Sequence, residues 1–197
     1  MGKKRHYESL FKLVPLVYRQ YRFNHYSNPD NVHFLPIGYH CWDKDIKYLN
    51  YPKKYIWSFI GSYKNNRKRD LTILDQLKPN FYGQTKHYEN TEILNSSIFV
   101  FCPKGLYNVE TSRTYTASIC GAIPIILCSN EEWNEIYPYY DIEPPWLHTN
   151  SVENIVSIIN ELLANPQELY KIQKNIIKWT SDIKKEIYLN INNTVTK

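Results

Sequence analysis

Several patterns that assign a function directly are missing from this sequence of 197 residues. Its four cysteines, Cys41, Cys102, Cys120 and Cys128, show no CxxC motif and no Cys/His spacing typical of zinc. The P-loop pattern GxxxxGK(S/T) is absent, and so are the signatures of RRM, KH, zinc-finger and helix-turn-helix domains. We therefore expect no structural zinc site and no P-loop, and no such signature supports a nucleic-acid partner.

Long hydrophobic stretches are missing too. No apolar run reaches the roughly 18–20 residues that a membrane-spanning helix requires. The N-terminal segment is basic, but Lys12 and Pro15 interrupt its apolar part, so a signal peptide is not expected. His6 stands where a myristoylation signal has Ser or Thr. Most of the cysteines lie in or beside predicted core elements, where a reduced thiol packs as a small hydrophobe. These features predict a soluble, cytoplasmic protein without a membrane span.

The composition is that of a globular chain. Hydrophobic residues make up 43% of the sequence and charged residues 22%, which are ordinary values for a folded domain. The length suits one well-packed domain and is marginal for two. The formal net charge of +5 suits an anionic ligand without requiring nucleic acid.

The middle of the chain predicts a β-α-β unit. A strand is expected over Ile98–Cys102, a helix over Arg113–Cys120 and a second strand over Ile123–Leu127. Both strands are short apolar runs bounded by Gly and Pro, as in parallel sheets that are covered on both faces. The crossover between parallel strands is right-handed, and ligands in such sheets bind beyond the carboxyl ends of the strands. The loop Pro103–Ser112 is therefore the predicted binding segment.

Arg113, directly after this loop, indicates which kind of ligand the loop could bind. Ser112 is a good N-cap, which puts Arg113 in the first helical turn, where a cation opposes the helix dipole. An anion bound at the helix N-terminus would remove this conflict, because backbone N–H groups and the guanidinium could both hold it. The alternative is a solvated arginine on a helix that begins elsewhere, and the spacing does not decide between the two.

A second strand–loop–helix unit precedes the first. Tyr55–Ile60 predicts a strand, and Asp70–Leu77 predicts a helix with its leucines on one face. Between them, Gly61 and Ser62 could form a tight turn whose backbone N–H groups bind phosphate. The basic run Lys64–Arg69 follows, and taken alone it is better interpreted as a solvated, charged surface.

The alternation of strands and helices sets the fold class. The other predicted strands are a short one that begins at Val32 and ends in a turn by Tyr39, and one over Asn80–Gly83. The other predicted helices cover Tyr88–Asn95 and Asn130–Ile136, and after an extended run over Tyr137–Trp146 come a helix capped by Ser151 and a long last helix that restarts at Asn165. This order predicts an α/β fold with a mostly parallel, Rossmann-like sheet, flanking helices and a long C-terminal helix. We expect an N-terminal segment over residues 1–50, the sheet domain over 51–190 and a frayed tail over 191–197.

Short motifs in this order resemble those of the exostosin-like glycosyltransferases. The matching residues are Phe101-Cys102-Pro103-Lys104-Gly105, Thr111-Ser112-Arg113 and Gly121-Ala122-Ile123-Pro124-Ile125, preceded by Phe59-Ile60-Gly61-Ser62 with Arg67. Arg19-Gln20-Tyr21 and Leu35-Pro36-Ile37-Gly38-Tyr39 resemble the stretch that leads from one domain to the other in those enzymes. The resemblance is to the nucleotide-sugar-binding half of the two-domain GT-B fold, and it covers most of the chain.

The resemblance implies transfer of a sugar from a nucleotide diphosphate sugar to an acceptor that it does not identify. Arg113 would contact the diphosphate, with Ser62 and Arg67 nearby. Positive charge at that place would stabilise the leaving group without a metal or another cofactor. The implied donor-binding residues are Gly61, Ser62, Arg67, Lys104, Gly105, Ser112, Arg113 and Thr116.

Two departures from the family pattern matter. Thr116 stands where the family has a glutamate that holds the ribose, and Glu110 in the preceding loop is a candidate replacement. Residues 1–50 are too few for the acceptor domain of a GT-B enzyme, which usually carries the catalytic base. They are therefore expected to be a remnant of that domain or an interdomain connection, and another chain could supply the missing half.

No residue is assigned to catalysis or to a metal. His25, His33 and His40 are candidate bases in the N-terminal segment, but each is better explained as structural. Asp43 and Asp45 form an Asp-Lys-Asp sequence similar to the metal motif of other glycosyltransferases. They lie on a predicted connecting loop before the sheet, so we expect no metal site there.

Three functional hypotheses compete. The first is a small or truncated glycosyltransferase, or its donor half; a fucosyltransferase-like enzyme, whose motif has Lys at the place of Arg113, is a related variant. The second is a non-catalytic nucleotide- or partner-binding module of the same fold, which Thr116 and the missing domain favour. The third is a basic nucleic-acid binder that uses Lys64–Arg69, which lacks a supporting signature.

Overall fold

The computed structural model describes residues 13–14, 16–19, 31–35, 38, 51–63, 67–105, 109–136 and 143–195. The chain divides into two compact units, Met1–Ile37 and Gly38–Lys197. The domain boundaries predicted after residues 50 and 190 stay predictions.

The first unit contains two short strands, β1 (Val17–Arg19) and β2 (Val32–Phe34), which pair in parallel. The sequence does not predict β1. The short strand that is predicted to begin at Val32 and to end in a turn by Tyr39 corresponds to β2, which ends at Phe34.

The second unit contains a sheet of five parallel strands with flanking helices. The strands are β3 (Tyr55–Ile60), β4 (Asn80–Gly83), β5 (Ser97–Pro103), β6 (Ile123–Leu127) and β7 (Leu147–Thr149). The helices are α1 (Arg67–Leu74), α2 (His87–Asn95), α3 (Ser112–Ile119), α4 (Asn130–Ile136), α5 (Val152–Ala164) and α6 (Pro166–Val195). This arrangement confirms the predicted α/β fold class with its parallel sheet and long C-terminal helix.

The order of the strands in space is β4-β3-β5-β6-β7, so the chain reverses its direction across the sheet at β3. From β3 it runs through α1 to β4 on one side, and then returns through α2 to β5 on the other side. Right-handed crossovers in opposite directions place their helices on opposite faces. In agreement, α1 packs on α5, whereas α3 packs on α2 and α6. Ligands bind at such a reversal, beyond the carboxyl ends of the strands, which here are the ends of β3 and β5.

Helices on both faces bury the central strands. Trp146, just before β7, packs its ring edge-on against Trp179 of α6, with centroids 4.8 Å apart. Its indole Nε1 donates a hydrogen bond of 2.8 Å to the hydroxyl of Ser118 in α3. The fully buried core residues of the sheet and of α6 include Phe59, Phe99, Phe101, Ile123, Ile125, Ile126 and Ile176. The helix α6 is therefore part of the core and not an appendage.

The limits of several elements differ from the sequence prediction, and one strand is not predicted. The first helix covers Arg67–Leu74 and not Asp70–Leu77, because the chain turns after Leu74 to enter β4. Leu77 is still buried, and its carbonyl accepts a hydrogen bond of 2.9 Å from the indole of Trp57. The strand β7 is not predicted, since a three-residue strand after a proline-rich run has no detectable period. The last helix continues to Val195, although fraying is predicted beyond residue 190. Within the described ranges, no helix has the length and hydrophobicity needed to cross a membrane.

Candidate functional site

Arg113 lies at the N-terminus of α3, as the sequence predicts. The N-cap is Thr111 and not Ser112: Thr111 has extended backbone angles, and Ser112 is the first helical residue. The correction moves the helix start by one residue, and Arg113 stays in the first turn. First-turn N–H groups have no partner within their own helix and carry the positive end of the dipole. A guanidinium placed there adds charge of the same sign.

The side chain of Arg113 reaches across to the end of β3. Its Nε donates a hydrogen bond of 2.9 Å to the carbonyl oxygen of Ile60. The guanidinium carbon lies 4.8 Å from the centre of the buried Phe59 ring, within the range of a cation–π contact. The Nη groups, which carry the other four N–H donors, are not used by the Ile60 contact. Arg113 is thus fixed through its Nε, and its Nη groups can donate hydrogen bonds to a ligand.

Arg67, the first residue of α1, approaches the same place from the opposite face of the sheet. Its Nη1 donates to the carbonyl of Ser62 at 3.3 Å, and its Nη2 donates to the carbonyl of Lys104 at 3.0 Å. Its guanidinium carbon lies 5.9 Å from the centre of the Phe59 ring. Arg67 therefore connects the loop after β3 with the loop after β5, across the reversal of strand order.

The two guanidiniums form a concentrated positive charge. Burial lowers the pKa of Arg113, and the neighbouring charge of Arg67 lowers it further. Among the described residues, no carboxylate forms an ion pair with either arginine. Arg69, two residues along α1, differs in that it faces Glu153 at 4.0 Å on the surface. A partly desolvated cation pair without a carboxylate is stabilised by binding an anion.

Gly61 permits this close approach. A Cβ atom at this position would lie 2.9 Å from Nη2 of Arg113 and 2.9 Å from Cζ of Phe59. Its N–H donates to the carbonyl of Gly83 at 2.9 Å, so the turn after β3 is fixed to the end of β4. Only a glycine lets the backbone, the guanidinium and the aromatic ring meet here.

Lys104 contributes its backbone to the site, whereas its ammonium pairs with Glu132 of α4. Glu132 also accepts a hydrogen bond from the N–H of Ser129 at 3.1 Å, while its own N–H donates to the Ser129 hydroxyl at 3.2 Å. This reciprocal pair is a capping box for α4. The hydrogen bond from Lys104 holds the pKa of the Glu132 carboxyl below its ordinary value. Gly105 follows Lys104 at the same rim and is partly exposed.

Thr116 and Glu110, the two residues considered for the ribose, are both buried. Thr116 is 5% exposed, and its hydroxyl donates to the carbonyl of Ser112 at 3.1 Å. Glu110 is 2% exposed and accepts a hydrogen bond from the hydroxyl of Tyr115. In this arrangement the Thr116 hydroxyl proton is directed to the helix backbone, and the Glu110 carboxylate holds the loop onto α3.

The structure therefore brings Gly61, Ser62, Arg67, Lys104 and Arg113 together at the ends of β3 and β5, whereas the Thr116 hydroxyl is directed to its own helix. The contacts of Phe59, the Ile60 carbonyl and Glu132 are not predicted, because they depend on which strands are neighbours. Of the candidate bases, His33 lies in β2 of the first unit. The remaining candidates His25, His40, Asp43 and Asp45 lie outside the described residues. Within the described ranges, no cluster of three or more His, Cys, Asp or Glu side chains could hold a metal.

No family model and no curated protein matches the chain. Among solved structures, it is similar to a DNA-modifying β-glucosyltransferase, determined in the presence and absence of its substrate uridine diphosphoglucose. The sequences are 16% identical and the TM-score is 0.55. The match covers 85% of this chain but 60% of the glucosyltransferase, so the chain spans less than two thirds of that enzyme. At this identity the likeness is one of fold alone.

Proposed function

We propose that this chain binds a nucleotide diphosphate sugar and transfers its sugar to an acceptor, as an exostosin-like glycosyltransferase or its donor half. One observation carries the proposal: Arg67 and Arg113 converge on Phe59 where the strand order reverses, without a carboxylate partner among the described residues. A diphosphate fits this arrangement, since its charge matches two guanidiniums and the dipole of α3.

The same groups can support catalysis of sugar transfer. When the glycosidic bond of the donor breaks, negative charge develops on the leaving nucleotide diphosphate. Guanidiniums that are already oriented by the carbonyls of Ile60, Ser62 and Lys104 stabilise this charge without reorganisation. We expect no metal to be required, because the two arginines can supply the counter-charge. Donor binding in excess EDTA should equal binding without it, and a loss of binding would argue for a metal.

The acceptor and the second half of the active site are open parts of this proposal. The glucosyltransferase of similar fold modifies DNA and is longer than this chain. We propose that an acceptor domain comes from further sequence or from another chain. The buried free thiols of Cys102, Cys120 and Cys128 support a reducing compartment such as the cytoplasm.

The alternative is a non-catalytic module that binds a nucleotide or a partner. Thr116 favours it, because a buried threonine whose hydroxyl donates to its own helix is a poorer ribose ligand than a carboxylate. A module of this kind would keep the anion site and lose turnover.

Calorimetry with UDP, GDP and their glucose conjugates tests the binding. Saturable binding of a nucleoside diphosphate, with competition by pyrophosphate, is the expected result; absence of binding by every nucleotide and by pyrophosphate would overturn the proposal. Slow hydrolysis of the bound donor, measured as release of free sugar, separates an enzyme from a module. Binding without any release would favour the module.

A further inference from the structure

Tyr63 is an exposed aromatic residue in the loop between β3 and α1, the helix that begins with Arg67. It follows the Gly61–Ser62 turn and is 46% exposed. We propose that this ring is the stacking surface for the nucleobase of the bound nucleotide. The inference rests on the proposed function and adds the part of the site that would recognise the base.

The ring of Tyr63 is held in place although it is exposed. Its hydroxyl donates a hydrogen bond of 3.0 Å to the carbonyl of Tyr82 in β4. Its edge packs against the Tyr82 ring at an interplanar angle of 85°, with centroids 6.1 Å apart. Tyr82 in turn stacks on the buried Trp57, with an angle of 4°. An aromatic ring that is fixed before binding loses little entropy when a planar base stacks on it.

The ring lies one strand away from the positive charge. Tyr82 is the register partner of Phe59, the residue beneath both guanidiniums, so the two side chains are on the same face of the sheet. Neighbouring strands are about 4.8 Å apart. The bond from Gly61 N–H to the Gly83 carbonyl keeps the two strand ends together. A nucleotide whose diphosphate contacts Arg113 can therefore place its base over Tyr63.

The other side of the cation pair is polar. There the ammonium of Lys104 pairs with Glu132, and Ser129 caps α4. Carboxylate and ammonium groups suit the hydroxyls of a sugar, whereas a base prefers an aromatic face. The two flanks thus favour one direction of binding, with the base on the β4 side and the sugar on the β6 side.

Few large apolar side chains are exposed in the part of the chain that the structure describes. Apart from Tyr63, these side chains are Leu13 and Val14 in the first unit and Tyr170, Tyr188 and Leu189 on α6. Among them, Tyr63 alone lies in a loop that directly follows a strand of the five-stranded sheet.

Calorimetry on three variants tests the inference, with UDP, GDP, UDP-glucose and pyrophosphate as ligands. Tyr63→Leu removes the ring, Tyr63→Phe keeps it, and Tyr170→Leu removes a similarly exposed tyrosine on α6. We expect Tyr63→Leu to weaken UDP or GDP by about 5–150-fold, the effect of losing one base–aromatic stack. Pyrophosphate affinity should stay within about twofold of the wild type. Tyr63→Phe and Tyr170→Leu should bind nucleotides nearly as the wild type does.

Four results would overturn the inference. If Tyr63→Leu binds nucleotides as the wild type does, the anion site is intact and the base does not stack on this ring. An equal loss for pyrophosphate would mean that the variant damages the turn. A loss confined to UDP-glucose, with UDP unaffected, would assign the ring to the sugar. If the wild-type chain binds pyrophosphate but no nucleotide, this inference fails together with the nucleotide part of the proposed function, while the anion site remains.

Discussion

The Nε of Arg113 donates a hydrogen bond of 2.9 Å to the carbonyl oxygen of Ile60, which joins the start of α3 to the end of β3. The two residues are 53 positions apart in the sequence. Their contact fixes the direction of the guanidinium at the point where the strand order reverses. The same side chain therefore links α3 to β3 and is the main residue proposed to bind the diphosphate.

Arg113→Ala should weaken nucleoside diphosphate binding by about 1.5–3 kcal/mol, the usual contribution of a charge-assisted hydrogen bond. Arg113→Lys should recover part of the affinity, because it restores the charge without the planar set of donors. Calorimetry measures the affinity, and urea unfolding of each variant checks the link to Ile60. Unchanged affinity in a folded Arg113→Ala protein would remove Arg113 from the site.

Arg67 and Arg69 provide a matched pair on one helix. Arg67→Ala should weaken binding of the same ligands, because Arg67 carries charge at the rim and holds the loop carbonyls of Ser62 and Lys104. Arg69→Ala should have little effect, since Arg69 is exposed and faces Glu153. Equal losses in both variants would indicate a diffuse charge effect and would contradict a specific role for Arg67. Binding at two salt concentrations separates these cases.

Gly61→Ala should impair both folding and binding. The new Cβ would lie 2.9 Å from the guanidinium of Arg113 and from the Phe59 ring, so one of them must move. We expect a loss of about 1–3 kcal/mol in the free energy of unfolding, typical of overpacking. Gly83→Ala is the control, because its Cβ would meet Tyr63 and Phe81 at 3.6 and 3.9 Å, which are ordinary contacts. A neutral Gly61→Ala variant would contradict the tight approach at this turn.

Lys53 should make stability depend on pH in the alkaline range. Burial lowers its pKa from 10.5 to about 8, while its ammonium donates to the carbonyl of Asn95 at 2.8 Å. Between those values the unfolded chain binds more protons at this residue, so its contribution to the free energy of unfolding rises with pH. The contribution is greatest above pH 10.5 and is lost as the pH falls through about 8.

Urea unfolding of the wild type and of Lys53→Met between pH 7.5 and 10.5 measures this contribution. As the pH rises, the free energy of unfolding of the wild type should increase relative to that of Lys53→Met. Lys54→Met is the control, because the side chain of Lys54 is exposed. If the free energies of unfolding of the wild type and Lys53→Met change with pH in parallel, the claim that burial lowers the pKa of Lys53 is contradicted.

Much of the fold is determined by local pattern. The runs Tyr55–Ile60 and Ile123–Leu127 are strands with the predicted limits, because short runs of mostly apolar and β-branched or aromatic residues next to a glycine fit few other structures. The restart at Asn165 is confirmed in the same way, since its side chain accepts a hydrogen bond from the N–H of Glu168. Arg113 falls in the first turn of a helix for a similarly local reason.

Tertiary structure alone decided what surrounds Arg113. Nothing in the sequence states that β5 lies beside β3, and this neighbour relation brings Arg67, Phe59 and Arg113 to one place. The pairing of β5 with β6 likewise places Lys104 beside Glu132. The apolar periodicity that indicates a strand or a helix involves residues close together in the sequence, whereas this binding site depends on which strands are neighbours in the sheet. The sequence by itself therefore determined the elements and the cations, and the order of the strands decided which of them meet.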